Sequence, residues 1–527
     1  MPDWDTVIVG GGSAGCVLAA ELSRDPGHRV LLIESGRRDT SPFIHIPGTF
    51  FRVMKAGIDA QVYRGEGEPG LGGRPCLVPQ GHVLGGGSSV NAMLYVRGQP
   101  EDYDTWEARG CAGWGWDRVL PAFTAMEGNT ALGAPWHGTD GPLTVSDPRH
   151  RHPLAQAFVQ AAVQAGLPLS RDFNGARQEG VGFYQTTTRN GRRCSATVAF
   201  LRPALARGNL SVLTGTRVDR VMFENGRASG VRLLDGRQIE ATREVILTAG
   251  ALATPLILLR SGIGPAADLA RHGIPVLADR PGVGANYQDH MAIPVEFETR
   301  EAVSTFGQDR GLKGARNLAA YALARRGLMA SNIVEAGGFV DVGGAGRPDV
   351  QFHMLPGFAG APGVPPLDGH GISWSVCVLR PKSRGTLALR GADPALPGLF
   401  QAGVLSHPDD VALSLKALRL ALSLAGQPAL AAILGPRRQP AAGPEDDATL
   451  TAHIRASAKT VYHPAGTARM GDGEDPLAVV DPRLRVIGVR GLRVADASVM
   501  PDLVSGNTNA PTMMIASRAA AFVAAGG

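Results

Sequence analysis

Apolar runs, glycine turns and helical stretches alternate at the start of the chain. Thr6-Val-Ile-Val9 predicts a strand, Gly10-Gly-Gly-Ser-Ala-Gly15 a turn, and Cys16 to Arg24 a helix with Val17, Leu18 and Leu22 as apolar positions. Val30-Leu-Leu-Ile33 predicts a second strand that ends at Glu34. An unbroken apolar run, rather than alternation, is the pattern of a strand covered on both faces, as in a parallel sheet.

The pattern then changes along the chain. A glycine-rich stretch, Gly81 to Gly98, precedes Trp106, Trp114 and Trp116. Strands are predicted over Leu210 to Leu213, Val218 to Phe223, Val231 to Leu234 and Val245 to Thr248, with hairpin turns at Asn225-Gly226 and Asp235-Gly236. An apolar helix, Leu252 to Arg260, follows. After His290, alternating strands over Ile293 to Thr299, Gly338 to Val342, Val350 to Leu355 and Ser373 to Leu379 surround a longer helix, Leu312 to Arg326. The end of the chain returns to the first texture, with a strand Leu492 to Ala495, then Asp496, a loop, and a helix from Thr512 onward. The expectation is an α/β protein with a discontinuous first lobe (1–290 and 456–527), a second lobe at 291–455 with a mixed or antiparallel sheet, and insertions of that second lobe near 150–195.

Composition narrows the class. Gly 70 and Pro 38 make up about a fifth of the 527 residues without a collagen period, which implies many tight turns. The net charge of +5 comes from scattered arginines, with no basic block to track phosphates, so nucleic acid is not expected as a partner. Cys16, Cys76, Cys111, Cys194 and Cys377 are far apart and include no C-x-x-C pair, which argues against a disulfide frame or a metal site. With no signal-like leader and no long apolar run, the expectation is a soluble cytoplasmic protein without a membrane span.

Gly10-x-Gly12-x-x-Gly15 between a strand and a helix, with Glu34 at the end of the next strand, meets the context test for a Rossmann-like dinucleotide fold. Gly10 suits the tight turn, Gly12 the approach of a pyrophosphate, and Gly15 the packing of helix on strand. The helix N-terminus faces the phosphates and Glu34 the adenosine ribose. This motif alone does not separate NAD from FAD. A second segment, Gly85-Gly-Gly-Ser-Ser-Val-Asn91-Ala-Met93, is a run of glycines and hydroxyls able to present N–H groups to an anion or a ring edge, or else a simple turn.

Together with GALATPLILLRSGIGP, PGVGANYQDH, YHPAGTARMG and GLRVADASVMPDLVSGNTNAPTMMIA, these segments resemble the glucose–methanol–choline (GMC) family of flavin oxidoreductases. LIESGRRDTSP, FNGARQEGVGFYQ and VLRPKSRGTLAL are most similar to its bacterial alcohol, choline and L-sorbose dehydrogenase branch. The resemblance implies an FAD-binding domain and a substrate-binding domain. It places the FAD pyrophosphate at Ser13 and Ala14, the ribose at Glu34, and the adenine at Val218. It places the isoalloxazine against the backbone of Gly86, Asn91, Ala92 and Met93, with Ser35, Gly85 and Ser88 also in the cofactor set. Ala249, Gly250, Asp496, Ala497 and Thr508 complete the cofactor set, and the catalytic pair matches His463 and Asn507, with Asn509 ranked below Asn507. Three positions depart from the family pattern: His82 where Arg, Lys or Asn is usual, Tyr287 where Leu precedes Gln-Asp-His, and Gly57 to Tyr63, which lacks a frequent Trp.

The chemistry that follows is oxidation of a primary or secondary alcohol, possible substrates including polyol, sugar-like, aromatic and aliphatic alcohols. FAD takes a hydride, and a histidine near neutrality takes the proton. Non-covalent FAD is expected, because Val90 stands where some relatives tether the flavin through histidine. Glu335, Gln351, His353 and Tyr462 are candidates for substrate contact, while His290 and His453 are read as structural. Choline is disfavoured, since no aromatic cage with a paired carboxylate is identifiable. The electron acceptor is a quinone, a dye or O2. An oxygen-using oxidase that makes hydrogen peroxide and a hydroxynitrile lyase on the same scaffold are the alternatives, and a NAD-dependent dehydrogenase is a weaker one. The helix Leu312 to Arg326 carries Lys313, Arg316, Arg325 and Arg326 beside Leu318, Leu323 and Leu328, and reads as a solvated face ahead of a surface that docks a membrane or an electron acceptor.

Overall fold

The computed structural model of the chain describes residues 4–55, 59–360 and 367–526. Trp4–Val9 and Val30–Ile33 pair in parallel, and Val7 to Val9 and Val30 to Ile33 are almost wholly buried, as their unbroken patterns predict. Leu210–Leu213 extends the sheet beyond Val30–Ile33, and Gln238–Leu247 extends it beyond Trp4–Val9, again in parallel. Leu492–Val494, near the end of the chain, completes the parallel layer against Val245–Leu247. The helices Ser13–Leu22 and Asn509–Ala524 pack on each other beside it.

Three boundaries differ from expectation for identifiable reasons. The first helix begins at Ser13, directly after the Gly12 turn, and stops at Leu22. The strand predicted from Val245 begins at Gln238, because its first residues pair antiparallel with the hairpin strand Arg227–Leu233 before the strand crosses into the parallel layer. The last helix begins at Asn509, with Pro511 in its first turn, where a missing N–H costs nothing. Both hairpin turns are present, at Asn225-Gly226 and Asp235-Gly236.

The second sheet is antiparallel, in the order Leu434–Gln439, Met291–Thr299, Gly371–Val378, Val350–Leu355, Ala336–Val340, Gly180–Phe183, with Lys459–Thr460 also on Met291–Thr299. The edge strand Gly180–Phe183 carries no alternation to betray it, because two of its four residues are glycines. They are needed there: a Cβ on Gly182 would sit 2.1 Å from the Ser170 carbonyl oxygen. One face of this sheet is a dry core. Trp374 stacks on Phe297 at 5.5 Å, and its Nε1 donates to the Ala421 carbonyl of the helix Pro408–Leu424 at 3.0 Å. The helix Pro153–Gln164 packs on the same face through Leu154 and Phe158. The opposite face, carrying Gln351, His353 and Ser375, turns toward the first sheet.

Candidate active site

A cavity of about 870 Å³ runs from the glycine turn of the first sheet to this face of the second. At one end lie Gly10, Gly12, Ser13, Ala14, Glu34, Ser35 and Val218, and Gly86, Asn91, Ala92, Met93, Ala249, Gly250, Asp496, Ala497 and Thr508 also line it. Gly10 has φ +109°, and a Cβ there would lie 2.4 Å from the Thr248 carbonyl oxygen, so the turn admits only glycine. Around Gly12 the situation is reversed, since no atom comes nearer than 3.9 Å to an added Cβ. The space beside it belongs to the cavity. No side chain caps the helix Ser13–Leu22, and its first turn holds no acid, so its free N–H groups offer an anion site.

Glu34 is fixed before any ligand arrives. Its Oε2 accepts from Gly11 N and its Oε1 from Gly36 N, each at 2.7 Å. Burial pushes its pKa up, and these two amides draw it back. Asp496 is similarly engaged, accepting from Gly250 N (2.9 Å), Thr254 Oγ1 (2.7 Å) and Ser498 N (2.8 Å). Its carboxylate therefore shapes the loop, leaving backbone groups to face a ligand. Gly15, Gly85 and Ser88 do not line the cavity but build its wall. A Cβ on Gly15 would lie 1.9 Å from Gly10 O, Gly85 N donates to Gly11 O, and Ser88 N donates to Ser13 Oγ. His82 meets Ser35 at 3.0 Å beside Glu34. Val90 lines the cavity, whereas none of the five buried cysteines does. Of the segment lacking Trp, Gln61, Val62 and Tyr63 line the cavity, and Gly57 and Ile58 lie outside the described residues.

Arg193 underpins the Gly85–Met93 loop. Its side chain is fully buried without a carboxylate partner and donates to Ile44 O (2.7 Å), Ser88 O (3.1 Å) and Asn91 Oδ1 (2.7 Å). Burial pushes its pKa down to about 9, which leaves it a cation at neutral pH. The fixed Asn91 then bonds Met93 N, and Met93 adopts φ +61°.

At the other end, His463 and Asn507 come together although 44 residues separate them, with Asn507 Nδ2 at 3.3 Å from His463 Nε2. Asn509 bonds Ser13 Oγ instead, at 2.8 Å, and belongs to the cofactor end. The His463 Nδ1 atom lies 2.9 Å from Nδ1 of His290, whose Nε2 lies 2.8 Å from the Leu379 carbonyl oxygen. A carbonyl only accepts, so His290 Nε2 carries a proton. Burial, then Arg380, pushes the His290 pKa down to about 4, so the ring is neutral and its Nδ1 is a bare acceptor. His463 Nδ1 must donate to it. Burial, then His290 and His353, pushes the His463 pKa well below its ordinary value, so Nε2 of His463 is unprotonated and accepts from Asn507 Nδ2 beside the cavity. His290, expected to be merely structural, thus fixes the tautomer of His463. Residue type gave no sign of this, because the two rings are 173 positions apart.

The His463 backbone is held as well. Asp289 Oδ1 accepts from His463 N at 2.9 Å, and Asp289 also accepts from Thr460 Oγ1 and, at 3.0 Å, from the Tyr287 hydroxyl. The departure at Tyr287 therefore supplies an extra donor to the carboxylate that holds the His463 loop. Burial pushes the Asp289 pKa up to about 6 despite these donors. Tyr462 precedes His463 with φ +71° and lines the cavity.

Gln351 and His353 project to one face, as their alternation predicts. Gln351 Nε2 donates to Asn507 Oδ1 at 3.1 Å, and this orients the amide with its NH2 toward His463. His353 lines the cavity, stacked on Tyr184, with its Nδ1 unpartnered. Glu335 is a correction. It does not line the cavity; its buried carboxylate accepts from Ser331 Oγ and His152 N and meets His150 Nδ1 at 2.7 Å. It stands just before the strand Ala336–Val340, so the strand's alternation does not govern its direction. His453 bonds Pro294 O and Ser457, a structural role.

The chain matches the GMC oxidoreductase N-terminal profile over residues 4–292 and the C-terminal profile over 381–516. It belongs to the GMC oxidoreductase family. The fold is accordingly the α/β, Rossmann-like FAD-binding architecture of GMC enzymes, with its second domain built on the antiparallel sheet. This GMC oxidoreductase is 42% identical to an alcohol dehydrogenase (acceptor) of Pseudomonas putida, across 99% of this chain and 95% of that one. It is also 42% identical to an oxygen-dependent choline dehydrogenase of Rhizobium etli, across 98% and 94%. Pyridoxine 4-oxidase from Mesorbium loti superposes with a TM-score of 0.90 at 32% identity, covering 98% of this chain and 99% of that structure.

Proposed function

We propose that this GMC oxidoreductase holds FAD without a covalent bond and oxidises an uncharged primary or secondary alcohol to the aldehyde or ketone, with His463 as base. The observation that carries the reading is the relay from the Leu379 carbonyl through His290 to His463, which leaves Nε2 unprotonated at the cavity beside the Asn507 amide. FAD, bound along the glycine turn, supplies the hydride acceptor. The protein's own part is the proton. The substrate hydroxyl donates to His463 Nε2, and the proton ends on that atom. The Asn507 amide, oriented by Gln351, holds the oxygen as negative charge develops on it. Seclusion in the cavity strengthens both contacts.

The walls near His463 favour a neutral substrate. Phe50, Leu94, Val334 and Leu355 are apolar, and Ala292 faces the same space. The lining carboxylates Glu34, Glu66 and Asp496 lie elsewhere, Glu34 and Asp496 on the glycine-turn side and Glu66 with Arg390. The ammonium of Lys459, four residues before His463, lines this end and bonds the Ala359 and Gly360 carbonyls. A quaternary ammonium there would meet the like charge of Lys459, and the nearby carboxylate, Glu296, interacts with that lysine and does not line the cavity. His353 Nδ1, unpartnered, is free for a polar atom of the substrate.

Residues 1–290 and 456–527 form the cofactor lobe in this reading, and 291–455 the substrate lobe with the 150–195 insertion. Electrons leave to a quinone or dye, in keeping with the alcohol dehydrogenase (acceptor) relative. The five buried free thiols suit the reducing cytoplasm. An alcohol panel mixed anaerobically with the yellow protein tests the proposal. Bleaching by neutral alcohols and not by choline is expected; a lyase stays yellow with all of them. Hydrogen peroxide formed as fast as product in air, with no gain from added dye, would instead make it an oxidase.

A further inference from the structure

The helix Gly311–Ala324 is turned the wrong way for a helix in water. Its buried residue is Tyr321, whose hydroxyl donates to Gly191 O at 3.0 Å. On the opposite side, Leu312, Ala315, Ala319 and Leu323 form one stripe at helical spacing, and all four are exposed, Leu312 at 91% and Leu323 at 89%. A helix of a soluble protein points such a stripe at the core. Cations flank this one: Lys313 and Arg316 on the helix, Arg310 before it, Arg325 and Arg326 after it. The helix contains no acidic residue, and the adjacent Asp309 is shared by Arg52 at 2.9 Å and Arg310 at 3.9 Å. The Arg52 pair seats the segment beside Phe51, which lines the cavity. No described helix is long and apolar enough to cross a membrane.

We propose that this helix is a membrane-surface anchor, lying in the interface of an anionic phospholipid bilayer with Leu312 and Leu323 in the acyl region and the flanking cations at the headgroups. About 21 Å of helix would then rest on the surface. The charge pattern selects this occupant. A second copy of the chain would bring the same cations against these, whereas anionic lipid neutralises them. Docking here brings the Phe51 wall of the cavity to the bilayer, where apolar alcohols and quinones concentrate.

The test uses the holoenzyme and sedimented vesicles, either phosphatidylcholine alone or phosphatidylcholine with about a third phosphatidylglycerol. Binding to the anionic vesicles alone is expected, with release at salt of about 0.5 M. Leu312→Ser with Leu323→Ser should weaken partition roughly tenfold or more, with the oxidation of soluble alcohol unchanged. Lys313→Glu with Arg316→Glu should weaken it as well, by an independent route. No binding to anionic vesicles at low salt, or equal binding by the leucine variant, overturns the proposal. So does a solution dimer that the leucine substitutions dissolve, since the stripe would then belong to a second copy.

Discussion

Replacing His290 by Phe removes the acceptor for His463 Nδ1–H while filling much of the same buried space. The lost partner leaves a buried donor unsatisfied, at a cost of ~1–3 kcal/mol. That energy is what holds His463 in the tautomer with an unprotonated Nε2. At 1.4 kcal/mol per tenfold, the productive tautomer becomes scarcer by roughly five- to a hundredfold, and the rate of flavin bleaching by an alcohol should fall by that factor. The effect should appear in kcat far more than in KM, because His290 does not line the cavity. His290→Asn, which keeps an acceptor oxygen, should recover part of the rate. Stopped-flow mixing under anaerobic conditions gives all three readings. A folded, yellow His290→Phe protein that bleaches at the wild-type rate refutes the relay.

Other consequences can be checked in parallel. Since His463 must be neutral to accept a proton and its pKa is depressed, the wild-type reductive rate should be level near neutrality. It should fall only as pH drops below the ordinary histidine value of about 6.5; a limb above that value contradicts the assignment. Tyr287→Phe removes one donor to Asp289 and should cost ~1–2 kcal/mol of stability, read from denaturant midpoints at pH 7; an unchanged midpoint denies Tyr287 a part in holding the loop. Arg193→Met strips the buried donors from Ser88 O and Asn91 Oδ1 and should weaken FAD retention, measured as flavin released on gel filtration. Acid precipitation should leave free FAD in the supernatant, and yellow colour in a washed pellet would contradict the reading of Val90.

Local chemistry was legible in the sequence wherever it repeats within one element. Gly10, Gly12 and Gly15 lie within one turn and its helix, and Glu34 ends the neighbouring strand, so spacing alone assembles that end of the site. Gln351 and His353 share a face through strand alternation. Contacts between distant segments were not legible. The His290–His463 pair and the Tyr287–Asp289–His463 brace depend on how the strand Met291–Thr299 brings its preceding loop beside Val461 to Pro464, which no local pattern encodes. Glu335 misled because it precedes its strand, next to Ile333 at φ +66°, where the backbone turns the carboxylate toward His150 and His152. The edge strand Gly180–Phe183 was hidden by the glycines that let it pack against Ser170.

The central claim is that His463 takes the substrate proton. The measurement that reaches it most directly is the anaerobic rate of flavin bleaching by a neutral alcohol, compared between the wild-type protein and His463→Ala at equal FAD content. Loss of a general base predicts a fall of roughly two or more powers of ten with FAD still bound. Bleaching of His463→Ala at the wild-type rate would contradict the account.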